Sequence, residues 1–319
     1  MRKILFALLA CGLVIAMTGS AFGAFWDGAQ WYVPEARAWE LTIDGSDSDW
    51  GWYDSQYAFT NADMMPRGGD GTPTTAEAED FNVLIMLAWS GEDQGAAVGN
   101  RWYYFVRMQD DTLDLSGFPD EWWADDCFRM SMDADNQGGT MRGASLDELG
   151  NGQRMYERII PELNCGDDCW GAIGTHNYGP YLAWGIDADI WWAMQPEFWH
   201  TEYTVLPVDA THGTGGQIEY TLESSMVMWD WWADSAENST RHVFEAGQTI
   251  GWSSRVVDRD NEAARHDIVP LGEAKASDVN ADVLQDYLMV DTVPDSEIVT
   301  AVEATSWGRI KVDMESRLH

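Results

Sequence analysis

Basic residues are scarce in this chain of 319 residues. It has 18 lysines and arginines against 54 aspartates and glutamates, and its formal net charge is −36 at pH 7. A field of that sign repels the phosphates of nucleic acid and anionic membrane surfaces, which argues against both as partners. It suits a neutral or cationic ligand, divalent cations or a salty medium.

The sequence motifs of several enzyme classes are missing as well. The chain has no G-x-S-x-G elbow, no H-E-x-x-H helix and no Gly-rich phosphate loop. A pair of carboxylates for glycoside hydrolysis would carry no information here, because 54 acidic residues supply many such pairs by abundance alone. We therefore expect a non-catalytic protein.

Long apolar runs are absent beyond the N-terminus. Arg2 and Lys3 precede the apolar run Ile4–Met17, and small residues follow it, which predicts a secretory signal peptide over residues 1–23, cleaved after Gly23 or, as a second choice, after Ala24. No later run approaches the ~20 apolar residues of a spanning helix. We expect an exported protein, extracellular or periplasmic, without a membrane span. Loss of Arg2 and Lys3 from the 18 basic residues takes its charge to −38.

Cysteine is rare, with four in the whole chain. Cys165 and Cys169 lie in one short loop, and export makes a disulfide between them plausible. Cys127 then remains as a thiol on a strand, which is most often simply buried. Few histidines lie near the cysteines, which argues against a zinc site, and the absence of C-x-x-C-H excludes covalent haem attachment.

The stretch 102–136 carries the strongest structural pattern. Trp102, Tyr104, Val106 and Met108 alternate with their neighbours, as do Phe128, Met130 and Met132 further on. This period of two is typical of half-buried strands. An acidic, aromatic loop over 118–126 joins the two predicted strands, so the stretch indicates strand, loop, strand and a second acidic loop.

The rest of the chain extends this pattern to an all-β fold. Further strands are predicted over Phe81–Trp89, Gln217–Glu223 and Thr249–Val257, and one helix over 278–289, where Val279, Val283, Leu284, Tyr287 and Leu288 share a face. No low-complexity linker and no internal repeat divides the chain. We predict one domain over residues 24–319, an antiparallel β-sandwich of jelly-roll or immunoglobulin-like type with a loop-rich insertion at about 140–216.

Tryptophan is unusually abundant, with 19 in the chain. Exposed aromatic side chains commonly contact ligands, and a sugar ring can stack its C–H face on an indole while carboxylates accept its hydroxyl hydrogens. The predicted glycan contacts are Trp122, Trp123, Asp125, Asp126 and Arg129. Neighbours on a strand point to opposite faces, and Trp123 is the preferred partner of the ligand. Secondary candidates, for which packing in the core is equally compatible, are Trp170, Trp191, Trp192 and Trp199.

Two acidic clusters at strand ends are candidate calcium sites. Asp133, Asp135 and Asn136 form one, and Asp258, Asp260 and Asn261 form the other. Each cluster brings two carboxylates and an amide, and Ca²⁺ takes ~6–8 oxygen ligands of this kind. Neither is a complete EF-hand loop, because no glutamate falls at the right spacing. The alternative is a solvated turn that uses Asp and Asn for its backbone geometry.

Several motifs, taken in order, resemble the family 9 carbohydrate-binding modules. They are Ile43-Asp44-Gly45 with Asp49-Trp50, Tyr103–Val106 before Asp110-Asp111, Trp123-Ala124-Asp125-Asp126, Asp133-x-Asp135-Asn136, Gly216–Leu222, Ala246–Gly251 leading to Asp258-x-Asp260, and Trp307–Lys311. The resemblance implies a β-sandwich from secreted glycan-degrading systems that holds structural calcium and clasps a sugar between aromatic side chains. It assigns Trp123 as one of those side chains.

The chain departs from that family at two positions. Arg129 stands where the family has an acidic residue, and the second sugar-clasping tryptophan has no counterpart in Arg265–Ile268. The tryptophans of the 140–216 insertion could replace it. The resemblance therefore implies the fold more firmly than sugar binding.

Two other function classes stay open. Cys165-x3-Cys169-Trp170 and Asp187–Trp192 resemble haem-b electron-transfer domains like the small subunit of ethylbenzene dehydrogenase. The available axial ligands would be His176, His200, Met194 and Met314. A structural cell-surface or matrix protein, in which the tryptophans make protein contacts, is the other alternative. Neither the sugar nor the oligomeric state follows from the sequence.

Overall fold

The protein is an all-β sandwich of mainly antiparallel sheets. The structure, a computed structural model, describes residues 30–68, 81–114, 126–138, 153–160, 174–178, 192, 195–208, 213–231, 235–260, 264–270 and 281–291. The signal peptide predicted over 1–23, the Cys165–Cys169 disulfide and the predicted glycan contacts Trp122, Trp123, Asp125 and Trp170 lie outside these residues, and so does Asn261.

Two large sheets form the sandwich. The eight-stranded sheet contains β1 (Gln30–Pro34), β3 (Met64–Gly68), β6 (Cys127–Asp133), β7 (Gln153–Ile160), β8 (Gly174–Tyr178), β13 (Thr249–Asp260), β14 (Ala264–Pro270) and β15 (Gln285–Val290). The five-stranded sheet contains β2 (Phe59–Thr60), β4 (Phe81–Ser90), β5 (Arg101–Thr112), β9 (Trp199–Leu206) and β10 (Gly215–Met226), in the order β2-β4-β5-β10-β9. A separate ribbon pairs β11 (Trp229–Trp231) with β12 (Thr240–Arg241).

The core lies between the inner faces of the two large sheets. Trp102, Tyr104, Val106 and Met108 of β5 are fully buried there, as the alternation predicted. Trp102 packs against Trp252 of β13 with ring centroids 5.0 Å apart, and a buried aromatic pair of this kind contributes about 0.5–1.5 kcal/mol beyond its burial. The side chains that the period-two pattern assigns to one face of β5 are thus the ones that pack between the two sheets.

A second, smaller core covers the outer face of the five-stranded sheet. The segment 36–58, called the cover segment below, packs Trp50 against Phe105 of β5 with ring centroids 6.3 Å apart. Tyr103 of β5 and Ala88 of β4 are buried in the same cluster. Both faces of β5 are therefore buried, which explains why its sequence is aromatic at consecutive positions.

The helix predicted over 278–289 is wrong. The structure has a short 3-10 turn at Ala281–Val283 followed by strand β15. Tyr287 and Met289 enter the main core from alternate positions, and β15 pairs with β1 on one side and β13 on the other. Leu284, Tyr287 and Leu288 have helical spacing, but pairing with two neighbouring strands overrides this local preference.

The range 140–216, predicted as an insertion, supplies strands to both large sheets. β7 pairs with β6 and β8 pairs with β7 in the eight-stranded sheet, whereas β9 pairs with β10 at the edge of the five-stranded sheet. In the described part of the chain, no helix is long and apolar enough to span a membrane.

Candidate functional site

Three carboxylates lie next to inward-facing side chains at one end of the sandwich. Two of them end the inward-facing series of a strand, and the third precedes such a series. On β5 the series Trp102 to Met108 continues to Asp110, and on β13 the inward positions end at Asp258. Asp126 precedes the first inward residue of β6, Phe128, by two positions. One side chain in two faces the core of a sandwich, so all three carboxylates are carried to the same end of it.

These three residues form a buried acidic cluster, called the acidic triad below. Asp110, Asp126 and Asp258 are 3%, 1% and 1% exposed, and one carboxylate oxygen of each lies within 4.8 Å of the others. They come from both sheets, since β5 belongs to one and β6 and β13 to the other. The sequence pattern predicts Asp126 as a glycan contact and Asp258 as a calcium ligand, and it does not connect either of them with Asp110.

The chain is also closed on itself beside the acidic triad. The Asp126 backbone N–H donates to the Asp114 carbonyl at 3.1 Å, and the Asp114 N–H donates to Asp126 Oδ2 at 2.7 Å. Residues 115–125, which include Trp122, Trp123 and Asp125, connect these two positions. The Asp126 carboxylate is thus a buried acceptor at the base of the segment, and not part of the surface.

A second connection leaves the sandwich at the same end. β13 continues two residues past Asp258 to Asp260, which pairs with Ala264 of β14, and residues 261–263 join the two strands. The side chains of Asp260 and Arg129 lie outside the described residues, although their strands are described. Asp258 therefore belongs to the acidic triad. That Asp260 and Asn261 form a calcium site together with Asp258 stays a prediction.

The other predicted calcium cluster lies at the far end of β6. Asp133 is 1% exposed, and its Oδ2 accepts the N–H of Gly138 at 2.6 Å. Asn136 has a left-handed backbone with φ 51°, and its Nδ2 donates to Asp286 Oδ1 at 3.1 Å. The turn Asp133-x-Asp135-x-Gln137-Gly138 matches the first half of a calcium-loop motif except for Gln137.

This turn, called the Asp133 turn below, holds two acceptor oxygens that receive no hydrogen bond. Asp133 Oδ1 and Asn136 Oδ1 are both buried in this state. Gly251 packs on both residues, since an added Cβ would come within 3.2 Å of Asp133 Cβ and 3.3 Å of Asn136 Oδ1. Buried acceptors need a partner, and a bound hard cation would supply one.

The raised pKa values of two carboxyls at the Asp133 turn are consistent with a cation site. Burial, and then the neighbouring Asp135 carboxyl, raise the pKa of Asp133 to about 8. Burial also raises the pKa of Asp286. Carboxyls with raised pKa values hold either a proton or a cation, and Ca²⁺ prefers oxygen donors of this type.

The tryptophans nominated in the 140–216 range differ in their surroundings. Trp199 is buried, and its Nε1 donates to Ser224 Oγ at 2.9 Å, so it belongs to the core. Trp192 is half-buried and lies edge-on against Phe198 and Trp229, with centroids 5.4 and 4.9 Å away. Trp191 lies outside the described residues.

The residues proposed as haem ligands are only partly described. His200 lies on the edge strand β9 with 45% of its side chain exposed, and its Nε2 is 3.4 Å from Glu202 Oε1. His176 lies in β8, but its side chain is outside the described residues, as are Met194 and Met314. Nothing in the described geometry brings His200 to a haem pocket.

One polar site was missed by the sequence analysis altogether. Glu223 of β10 is fully buried under the cover segment, and its carboxylate accepts the N–H groups of Asp44 and Gly45 at 2.8 and 3.0 Å. Trp50 Nε1 donates to the same group at 2.8 Å. The Asp44-Gly45 and Trp50 motif therefore anchors the cover segment to the sheet. In the sequence, the only signal of this site is the alternation of β10, which assigns Glu223 to one face of the strand.

Comparison with solved structures found similar folds at low sequence identity. One is a carbohydrate binding module of family 9 from Caldicellulosiruptor kristjanssonii in complex with cellotriose, with 12% identity, a TM-score of 0.49, and 84% of this chain and 97% of that chain covered. The same kind of module from that organism in complex with glucose gives 13% identity, a TM-score of 0.49 and coverage of 84% and 98%. No protein-family model and no curated protein matches the chain.

Proposed function

We propose that this protein is a secreted, non-catalytic glycan-binding protein that stacks a sugar on Trp123. Trp122, Asp125 and Arg129 supply the neighbouring contacts and hydrogen-bonding groups, in the service of glycan capture or degradation. The proposal is supported chiefly by the hydrogen bonds between Asp114 and Asp126. They tie together the two residues between which the tryptophan pair lies in the sequence.

Rigid anchoring matters because ordering a flexible loop on binding costs affinity. A tryptophan on a segment with fixed ends loses less freedom when a sugar stacks on it. The charge of the chain adds to the argument, since carboxylates accept the hydroxyl hydrogens of a neutral sugar. A formal net charge of −36 disfavours polyanionic partners at the same time.

Calcium is the cofactor of this proposal, and the Asp133 turn is one of its two predicted sites. Asp133, Asp135 and Asn136 would hold the ion, with Asp286 beside them. When bound, calcium would supply positive charge to buried carboxyls that otherwise need protons. The oxygens of Asp133 and Asn136 that receive no hydrogen bond support this turn as a site, and the three buried carboxyls of the acidic triad, with one oxygen of each within 4.8 Å of the others, support the cluster at Asp258.

The proposal is tested by titrating purified protein with glucose and with cellotriose in a calorimeter. We expect one of them, or another glycan on an array, to bind, and Trp123→Ala to abolish that binding. Trp39→Ala is the matched control, because Trp39 is 65% exposed on the cover segment and should leave binding unchanged. Absence of glycan binding, or full binding by Trp123→Ala, would overturn the proposal, and a Soret band in the purified protein would indicate haem instead.

A further inference from the structure

Asp286 of β15 lies in one row with residues of two neighbouring strands. Gly251 of β13 pairs with Asp133 of β6 on one side and with Asp286 on the other. Residues directly opposite each other in a sheet share a face, so both aspartates stand on the same face with a glycine between them. The missing side chain at the middle position leaves space that a side chain from elsewhere can enter.

Asn136 enters this space. Its Oδ1 lies 3.3 Å from the position that a Cβ on Gly251 would take, and its Nδ2 donates to Asp286 Oδ1 at 3.1 Å. The backbone is held as well, because the Asn136 N–H donates to the Asp133 carbonyl at 3.2 Å. The nitrogen end of the amide is thus bound to β15, while the residue itself belongs to the Asp133 turn.

The oxygen end of the same amide receives no hydrogen bond. Asn136 Oδ1 and Asp133 Oδ1 are both buried in this state, and Asp133 is only 1% exposed. An asparagine amide that rotates freely can present either its nitrogen or its oxygen to a neighbour. Only the nitrogen can donate to the Asp286 carboxylate, so this bond leaves the oxygen for a cation.

The segment that carries Asp286 approaches the Asp133 turn at a second point. The Asp282 carboxylate occupies the position that a Cβ on Gly138 would need, and the Gly138 N–H donates to Asp133 Oδ2 at 2.6 Å. On its other side β15 pairs in parallel with β1, and Trp31 Nε1 of β1 donates to Gln285 Oε1 at 2.9 Å. The Asp133 turn, β15 and β1 therefore form one connected series of contacts.

We propose that Asp286 is the positioning residue of the calcium site at the Asp133 turn, and that a bound ion thereby clamps β15 to the end of β6. This inference rests on the proposed calcium site and adds to it a residue from a distant part of the chain. Asp286 acts through the amide of Asn136 and does not contact the ion. Groups that orient a metal ligand commonly change metal affinity by about 10- to 100-fold.

Calorimetric titration of the whole protein with calcium chloride tests the role of Asp286. Asp286→Ala should weaken calcium binding by about 10- to 100-fold. Asp286→Asn should restore most of the affinity, because its amide oxygen can still accept the bond from Asn136. The matched control is Asp54→Ala, which removes an exposed carboxylate that accepts the Gln56 amide at 2.8 Å on the cover segment and should leave the affinity unchanged.

Hydrogen exchange followed by mass spectrometry tests the clamp. Calcium should slow exchange in β15 and β1 of the parent protein, and it should have no effect on β9 at the edge of the other sheet. In Asp286→Ala at saturating calcium, the Asp133 turn should stay protected while β15 loses its protection. A role of Asp286 in folding alone would leave this calcium-dependent difference unchanged.

Circular dichroism would confirm that the variants fold. If Asp286→Ala does not fold, Asp286→Val takes its place, because valine favours strands and offers no acceptor.

The outcomes separate this inference from the calcium site itself. If calcium binds the parent and Asp133→Asn abolishes binding, but Asp286→Ala keeps the parent affinity, the site stands and the positioning role is overturned. Equal losses in Asp286→Asn and Asp286→Ala would also overturn it, because the charge of Asp286 and not its acceptor oxygen would then act on the ion. Absence of calcium binding by the parent would remove the site and this inference together.

Discussion

Trp50 donates its indole N–H to the buried carboxylate of Glu223 at 2.8 Å, across 173 positions of the chain. The bond ties the cover segment to the outer face of the five-stranded sheet. Since the backbone N–H groups of Asp44 and Gly45 also donate to Glu223, a single side chain organises the middle of the cover segment. Four predictions concern this anchor and the Asp133 turn.

At pH 8, where Glu223 is ionised, Trp50→Phe should lower the free energy of unfolding by about 1.5–3 kcal/mol, the usual worth of a hydrogen bond to a charged group. Urea unfolding followed by circular dichroism measures this change. The matched control is Trp39→Phe, because Trp39 is 65% exposed and surface changes usually stay within about 0.5 kcal/mol. Equal stability of the two variants would mean that the bond contributes nothing.

Gly45→Ala should destabilise the protein by ~2 kcal/mol or more. Gly45 has φ +81°, and an added Cβ would lie 2.8–2.9 Å from backbone atoms of Tyr203, so left-handed strain and overpacking act together. Gly51→Ala is the control, since no atom lies within 4 Å of its Cβ position. Thermal unfolding of both variants checks the prediction, which fails if their melting temperatures agree.

Glu223 should make stability fall as the pH rises towards neutrality. Burial raises its pKa from the ordinary 4.5 to about 7, although the hydrogen bond from Trp50 acts in the opposite direction. The folded state therefore holds a proton that the unfolded state releases, and the resulting stability is present below pH 4.5 and lost as the pH passes 7.

Urea unfolding of the parent protein and of Glu223→Gln at pH 5, 6.5 and 8 tests this titration. Relative to the variant, the parent should lose stability between pH 5 and pH 8. All other groups are common to both proteins and cancel in the difference. Parallel pH profiles would show that Glu223 does not titrate in this range.

Calcium should raise the melting temperature, and a chelator should lower it. A ligand that binds only the folded state at 100 times its Kd adds about 2.7 kcal/mol of stability. Asp133→Asn should abolish this response, whereas Asp47→Asn, which changes an exposed partner of Arg107, should preserve it. In chelator, Asp133→Asn should be no less stable than the parent, because it removes a buried acidic group. A melting curve indifferent to calcium and chelator would contradict the assignment.

The sequence predicted the sandwich because strand alternation is a local property. Trp102, Tyr104 and Phe128 lie in the core at the positions that period two assigns to them. The same local logic failed at β15, where Tyr287 and Leu288 fit a helix as well as a strand. The decision there depends on β1 and β13, which are distant in the sequence.

The polar sites were harder to predict, because each combines residues from separate strands. Asp126 and Asp258 could be singled out as acidic residues at strand ends, but their meeting with Asp110 depends on how the two sheets stack. Glu223 lies in an ordinary strand sequence with no signal of its partner Trp50.

Two hydrogen bonds between Asp114 and Asp126 close the chain at the point where segment 115–125 connects β5 to β6. Sequence changes within 115–125 need not disturb the registry of β5 or β6, because Asp114 and Asp126 are tied to each other by two hydrogen bonds. The sandwich could therefore accept a transplanted segment of another specificity while keeping its own stability, which makes this position a natural point for redesigning what the protein recognises.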